Sequence, residues 1–272
     1  MRRAPATAKL NLALVVGPQR EDGRHEVATV LQRLDLSDRV AVQSAPALRV
    51  VGFAEDTLVR RALETLGAAA EVEPRWHARI WKRIPVAAGL GGGSSDAATA
   101  LRLANETLPT PLSPGKLLEL AATLGADAPF YLTAGPQLGE GSGDELTQLD
   151  LPQDYWVVLL LPRNARKEST EAVYASFDER AGEHGYVERR AALQEALAQV
   201  RRPRDLAALP PNDLASSPLA DELLGLGAFR ADVTGAGPVV YGLFHHRDQA
   251  AAAERALRRH GRTWLSVPAW YG

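Results

Sequence analysis

The stretch PVAAGLGGGSSDAATAL, Pro85 to Leu101, decides the fold. Four glycines fall between Gly89 and Gly93, followed by two serines, an aspartate and a run of alanines. Glycine lets the backbone take positive φ and lets a ligand approach the main chain closely. Successive N–H groups can then converge on an anion, and a helix start just downstream adds unpaired N–H groups and a positive dipole end. Ser94 or Ser95 is the expected N-cap of a helix running to Leu108. Ala97, Ala98 and Ala100 give that helix a smooth face for close packing. With a strand expected over Trp76 to Ile84, the order is strand, glycine turn, capping serine and small-residue helix. That order makes a phosphate cradle; the plain alternative is a flexible strand-to-helix turn.

The ligand class is narrowed by what is missing. A Walker loop needs a lysine followed by serine or threonine after its glycines, and none follows here. A dinucleotide fingerprint needs a third glycine where Ser94 stands. It also needs a short strand ending in an acidic residue about 20 residues on, which is absent. The serines at the end of the loop are placed to help hold phosphate oxygens or their magnesium.

Elsewhere the pattern alternates between strands and helices. Over Ala8 to Val16, Lys9, Asn11, Ala13 and Val15 share one strand face, and Leu10, Leu12 and Leu14 share the other. Val27 to Leu36 and Val40 to Val42 read as two further strands. Asp56 to Gly67 has helical spacing. Ser113-Pro114 opens a helix that Gly125 ends. A second glycine-bearing stretch, Gly125 to Leu146, precedes the buried-strand candidate Tyr155 to Leu161. Amphipathic helices are expected at Thr170 to Phe177, Val187 to Val200 and Ala250 to His260. A third glycine feature, DVTGAGPVVYGLF, spans Asp232 to Phe244. The expected architecture is α+β in two domains, 1–152 and 153–272, with the boundary at Pro152-Gln153.

Bulk properties set the class. The chain has 272 residues, a formal net charge of -2 and no cysteine. Disulfides, thiolate metal sites and a cysteine nucleophile are excluded, and a cytoplasmic setting is expected. The charge balance argues against a nucleic-acid partner. The longest apolar run is far below the roughly 20 residues of a membrane span, so no membrane partner is expected either. Two arginines precede an apolar stretch near Met1, but Lys9 and Asn11 interrupt it, unlike a secretory leader. Only four of the 31 basic residues are lysines: Lys9, Lys82, Lys116 and Lys167.

Five stretches in order resemble the GHMP kinases, the family of galactokinase and of homoserine, mevalonate and phosphomevalonate kinases. They are APATAKLNLAL, DGRHEVATVLQRLDLSD, the glycine loop, LGADAPFYLTAG, and the pair PPNDL with VTGAGPVVYGLF. Spaced from Ala4 to Phe244, they span most of the chain in register. The likeness is nearest to the branch that phosphorylates 4-diphosphocytidyl-2-C-methyl-D-erythritol at its 2-hydroxyl in non-mevalonate isoprenoid synthesis. It implies ATP as co-substrate with Mg2+ and a small-molecule acceptor in a cleft between domains; the sequence leaves the oligomeric state open between a monomer and a weak homodimer. ATP would lie along Pro85, Val86, Ala87, Ala88, Gly89, Leu90, Gly91, Gly92, Gly93, Ser94 and Ser95.

The resemblance also assigns roles, each beside a plainer reading. Lys9 would sit by the acceptor hydroxyl and stabilise developing charge, and Asn11 would touch substrate hydroxyls or diphosphate. By local pattern both belong to the exposed face of a strand. Asp127 would be the general base; alone it reads as a turn or N-cap aspartate. His25 would bond the cytosine edge and Tyr174 would stack on the base. Alone they read as a surface histidine and a helix core residue. Asp96 is either a first-turn acid favoured by the dipole or a group near magnesium. Two departures stand out. Arg24 replaces the family's stacking tyrosine, a role its guanidinium plane can take. TGAGP replaces TGSGS, which removes a hydroxyl near the phosphates.

Overall fold

A computed structural model describes residues 1–53, 57–163, 165 and 169–269. Asp56, the first residue of the helix expected over Asp56 to Gly67, and Lys167 lie outside them.

Two long strands form the spine of the molecule. β1 (Arg2–Gln19) and β2 (His25–Ser44) pair antiparallel along nearly their whole length. Their connection is a tight turn: Gly23 has φ +80° and the Arg24 N–H donates to the Asp22 carboxylate at 3.0 Å. The expected break between Leu36 and Val40 does not occur, and β2 runs straight through it. The polar residues there looked like a loop. One of them, Asp38, is fully buried because it accepts the N–H groups of Arg83 and Ile84 and the ammonium of Lys82.

The other edge of β2 takes β4 (Trp76–Trp81) and β5 (Gln137–Glu140). β3 (Arg49–Val51) and β6 (Glu145–Gln148) complete a six-stranded sheet. β4 stops at Trp81 rather than Ile84. Against this sheet pack α1 (Leu58–Ala69), α2 (Gly92–Asn105) and α3 (Pro114–Leu124), joining Val40, Val42, Ala78 and Ile80 to Leu63, Leu66, Leu101 and Leu120. The alanines of α2 are all fully buried, which is what lets its backbone lie close to its neighbours. Each fully buried leucine contributes about 1.5–3 kcal/mol.

The second half forms a four-stranded antiparallel sheet in the order β10-β7-β9-β8. These are Gly261–Ser266, Trp156–Pro162, Val240–Phe244 and Arg230–Val233. α4 (Thr170–Glu179), α5 (Tyr186–Gln199), α6 (Pro218–Gly225) and α7 (Arg247–Leu257) accompany it. One core cluster joins the sheets: Leu10, Leu12 and Val30 contact the group that holds Val157, Leu159, Leu193, Tyr241 and Leu243.

Candidate active site

The glycine loop is built by alternation. Ala87, Gly89 and Gly91 all have left-handed φ, +62°, +82° and +68°. Such alternation turns neighbouring N–H groups towards one side and forms an anion-binding hollow. α2 then starts at Gly92 with Gly91 as its N-cap, and the Ser95 N–H donates to the Gly91 carbonyl at 3.0 Å. The expectation that Ser94 or Ser95 caps the helix is therefore corrected: both lie within its first turn. The left-handed Gly91 begins the helix without a side-chain cap. The N–H groups of Gly92, Gly93 and Ser94 remain without helical acceptors.

The loop is held from both sides. The Lys9 N–H donates to the Leu90 carbonyl at 3.1 Å, tying it to β1. From the second half, the 234–237 turn presses against it. A Cβ on Gly237 would lie 2.3 Å from the Gly89 nitrogen, so glycine is obligatory at that crossing. The NDL stretch fastens this turn: the Asn212 amide donates to the Val233 and Gly235 carbonyls, at 3.0 and 2.8 Å.

Lys9 and Asn11 are not on an exposed face. They are 4% and 5% exposed, because the second half covers that side of β1. The Asn11 N–H donates to Thr234 Oγ1 at 3.0 Å and its amide donates to Thr29 Oγ1 at 2.8 Å. That amide orientation leaves Asn11 Oδ1 to accept from Lys9 Nζ at 2.5 Å. The Lys9 ammonium then lies 3.8 Å from Asp127 Oδ2. Asp127 sits in the turn between α3 and a 3-10 helix (Pro129–Leu132), with its carboxylate 43% exposed.

All of this opens on one cleft of ≈ 590 Å³. Pro85 through Ser94 line it, together with Lys9, Asn11, Asp127, Tyr174 and the 235–237 turn. Ser95 lies just behind, its hydroxyl buried without a partner. Burial, helped by the nearby Asp127 charge, pushes the Tyr174 phenol up to about 12, so it remains neutral. His25 and Arg24 stand behind this wall. His25 Nε2 is 2.8 Å from Asp178 Oδ1, and its ring lies 4.7 Å from that of Tyr174. The exposed Arg24 donates to Ser142 Oγ at 3.2 Å, and Ser142 lines the cleft.

A cluster that sequence reasoning left unassigned backs the loop. Lys82 pairs with the buried carboxylates of Asp38 and, at 2.7 Å, Asp96. Burial opposes the ammonium charge, but the two carboxylates outweigh it and raise the lysine above its ordinary value. Asp96 is thus engaged with Lys82. Thr29 and Thr234 were also missed. Their signal was slight: a threonine within a strand, and one in the third glycine motif.

Residues 57–135 match the model of the GHMP kinases N terminal domain, and residues 189–263 match that of the GHMP kinases C terminal domain. The chain belongs to the GHMP kinases. It is 36% identical to the 4-diphosphocytidyl-2-C-methyl-D-erythritol kinase of Geobacter sulfurreducens, covering 96% of each chain. It is 39% identical to the enzyme of that name from an Anaeromyxobacter species, over 93% of this chain and 85% of the other. A crystal structure of a 4-(cytidine 5'-diphospho)-2C-methyl-D-erythritol kinase superposes with a TM-score of 0.80 at 31% identity, covering 98% and 99% of the two chains. This GHMP kinase is therefore an ATP-dependent phosphotransferase of the α+β, two-domain kind, and ATP is its co-substrate.

Proposed function

We infer that this kinase transfers the γ-phosphoryl group of ATP to the 2-hydroxyl of 4-diphosphocytidyl-2-C-methyl-D-erythritol, giving the 2-phosphate and ADP in non-mevalonate isoprenoid synthesis. The near full-length likeness to relatives of that name supports the substrate. The observation that carries the chemistry is the Lys9–Asp127 pair, 3.8 Å apart in the cleft that the glycine loop lines.

In this reading the amides of Pro85 to Ser95 hold the polyphosphate. The acceptor oxygen attacks the γ-phosphorus, the bond to the β-phosphate oxygen breaks, and the hydroxyl proton passes to Asp127. A carboxylate is too weak to ionise a free alcohol. It takes the proton late, once bonding to phosphorus has acidified the oxygen. Lys9, aimed by Asn11, stabilises charge developing between acceptor and phosphate. Positioning and fixed charge supply most of the acceleration.

Magnesium enters with the nucleotide. Among the described residues no group of three acidic or histidine side chains forms a metal cage. Ser94, Asp96 and Asp127 line the cleft beside the loop, with Asp96 already paired to Lys82. That sparse set fits an ion bound through phosphates, with one or two protein oxygens and retained waters. When bound, it neutralises phosphate charge.

At the other end of the substrate, the cytosine stacks on Tyr174. Arg24 closes the pocket over Ser142. His25 lies behind Tyr174 and is assigned to the base edge through Nδ1, since Nε2 is engaged by Asp178. Among the described residues no helix is long and apolar enough to cross a membrane, and we place the enzyme in the cytoplasm. We keep the domain boundary at 152/153, between β6 and β7.

ADP release in the presence of the cytidyl substrate, mevalonate and homoserine tests the assignment. Turnover is expected with the first alone; turnover of mevalonate without it would overturn the reading. Asp127→Asn is expected to lower kcat about 100-fold or more while ATP affinity stays nearly unchanged. Full activity in that variant would remove Asp127 from the mechanism.

A further inference from the structure

A buried arginine lies beside the Lys9–Asp127 pair with no counter-charge among the described residues. Arg33 is only 3% exposed, on β2, and is the direct cross-strand partner of Lys9. Its guanidinium donates to two carbonyls, Phe130 and Thr133, and sits 4.9 Å from the centre of the Phe130 ring. Among the described residues no carboxylate pairs with it, and its Nε is buried without a partner. Burial pulls the group down to about 10 from its ordinary 12.5.

Stability does not explain this choice. An unpaired buried cation costs several kcal/mol, and an apolar side chain of similar volume is often neutral or better. Nor is Arg33 needed to satisfy the Phe130 carbonyl, which already accepts from the Thr133 N–H at 3.3 Å and the Thr133 hydroxyl at 2.8 Å. What the guanidinium adds is one terminal NH2 group whose two hydrogens join β2 to the Phe130 and Thr133 carbonyls of one short segment.

That segment carries Asp127. The 3-10 helix 129–132 begins two residues after it, capped by Ala128, whose carbonyl accepts the Tyr131 N–H at 3.2 Å. A closed path results: Lys9 across the strand pair to Arg33, Arg33 to Phe130 and Thr133, and back through Ala128 to Asp127. On the far side Tyr131 Oη presses against Gly91, where a Cβ would lie 2.1 Å from it. The 3-10 helix is thus wedged between the glycine loop and Arg33.

We propose that Arg33 is a positioning residue: by gripping the Phe130 and Thr133 carbonyls from the strand that also carries Lys9's partner position, it sets the Lys9–Asp127 separation. The proposal rests on the reading of that pair as the site of phosphoryl transfer. A misplacement of about 1 Å costs roughly 100-fold in rate, so a loose 3-10 helix is felt in kcat.

The test uses the full chain carrying Arg33→Met or Arg33→Lys, with thermal melting to verify folding. Without substrate, amide hydrogen exchange over residues 128–133 is expected to be about 10-fold faster in Arg33→Met, with residues 85–95 unchanged. Its kcat is expected to fall about 10- to 100-fold while the KM for ATP stays within about twofold. Arg33→Lys, which keeps a charged donor, is expected to recover at least about threefold of that loss. Unchanged exchange in Arg33→Met overturns the proposal. So does a kcat within about twofold of the parent, or a lysine variant no better than methionine. An Arg33→Met chain that fails to fold assigns Arg33 to stability alone and also overturns it. If the parent chain does not turn over the cytidyl substrate, the functional reading fails, and the exchange comparison still decides the clamp.

Discussion

Gly91 shows how a single residue couples the nucleotide loop to the catalytic turn. Its φ of +68° is expensive for any other residue, about 1–2 kcal/mol. A Cβ there would also run into Tyr131 Oη at 2.1 Å and Lys9 Cγ at 3.1 Å. Gly91→Ala is therefore expected to raise the KM for ATP and lower kcat together, because it moves the cradle, the 3-10 helix and Lys9 at once. Gly115 is the internal control. It lies in the first turn of α3 with open space around it, and Gly115→Ala is expected to leave kinetics unchanged and to raise stability by up to about 1 kcal/mol. Steady-state kinetics and thermal denaturation of the two variants check both statements; equal effects would remove the steric argument. Lys9 and Asn11 show what local reading misses. Alternation along a strand separates two faces but does not say which one is covered. Here the cover comes from Thr234, 223 positions from Asn11. Only the ordered family stretches set Lys9 and Asn11 in a cleft rather than on an outer face, and both line it.

Elements with strong periodicity were legible: α2 and α3, the Ser113 cap, the β7 strand, α4, α5 and α7 appear close to where the pattern puts them, whereas α6 was not expected. The boundaries that moved did so for tertiary reasons. α2 starts early because Gly91 adopts a left-handed turn that pattern alone does not distinguish from its glycine neighbours. β2 runs through its polar middle because Lys82 meets Asp38 there. The same ion cluster supports an element-scale prediction. Lys82 links the first turn of α2, through Asp96, to β2, through Asp38. Replacing it by methionine takes the shared cation from two fully buried carboxylates, a loss of about 3–5 kcal/mol for a broken buried pair. Its folded pKa lies above the unfolded value of 10.5. The stabilisation is therefore complete below the ordinary lysine range and is lost as pH rises through the raised value. Denaturant melts of Lys82→Met and the parent chain at neutral pH are expected to differ by that amount. Their difference is expected to be flat from pH 7 to 9 and to shrink only in stronger alkali. A difference that closed near neutral pH would mean that Lys82 is not the cation holding α2 to β2.

At the scale of the whole molecule, the question is whether two sheets mean two folding units. The proposed boundary falls on Pro152-Gln153, between the sheets. The core does not respect it. Leu10, Leu12, Val15 and Val30 from the first half share one buried cluster with Val157, Leu159, Leu193, Tyr241 and Leu243 from the second. The Gln32 and Gln153 amides bond each other in both directions, at 2.8 and 2.9 Å. The Leu14 carbonyl accepts from the Asp213 N–H, whose carboxylate in turn accepts from the Val16 N–H and from Arg189. Parting the halves would expose the inner face of β1 and leave these buried groups without partners, each at a cost of about 1–3 kcal/mol. The chain is therefore expected to melt in one transition with equal calorimetric and van't Hoff enthalpies. The pieces 1–152 and 153–272, expressed apart, are expected not to fold. Because the nucleotide cradle is closed by the 234–237 turn of the second half against Gly89 of the first, a non-hydrolysable ATP analogue should shift that single transition as a whole. At 100 times its dissociation constant the gain is about 2.7 kcal/mol. Two resolved transitions, with only the first moved by the analogue, would show instead that each sheet holds itself together and that the shared cluster is a contact surface between finished domains.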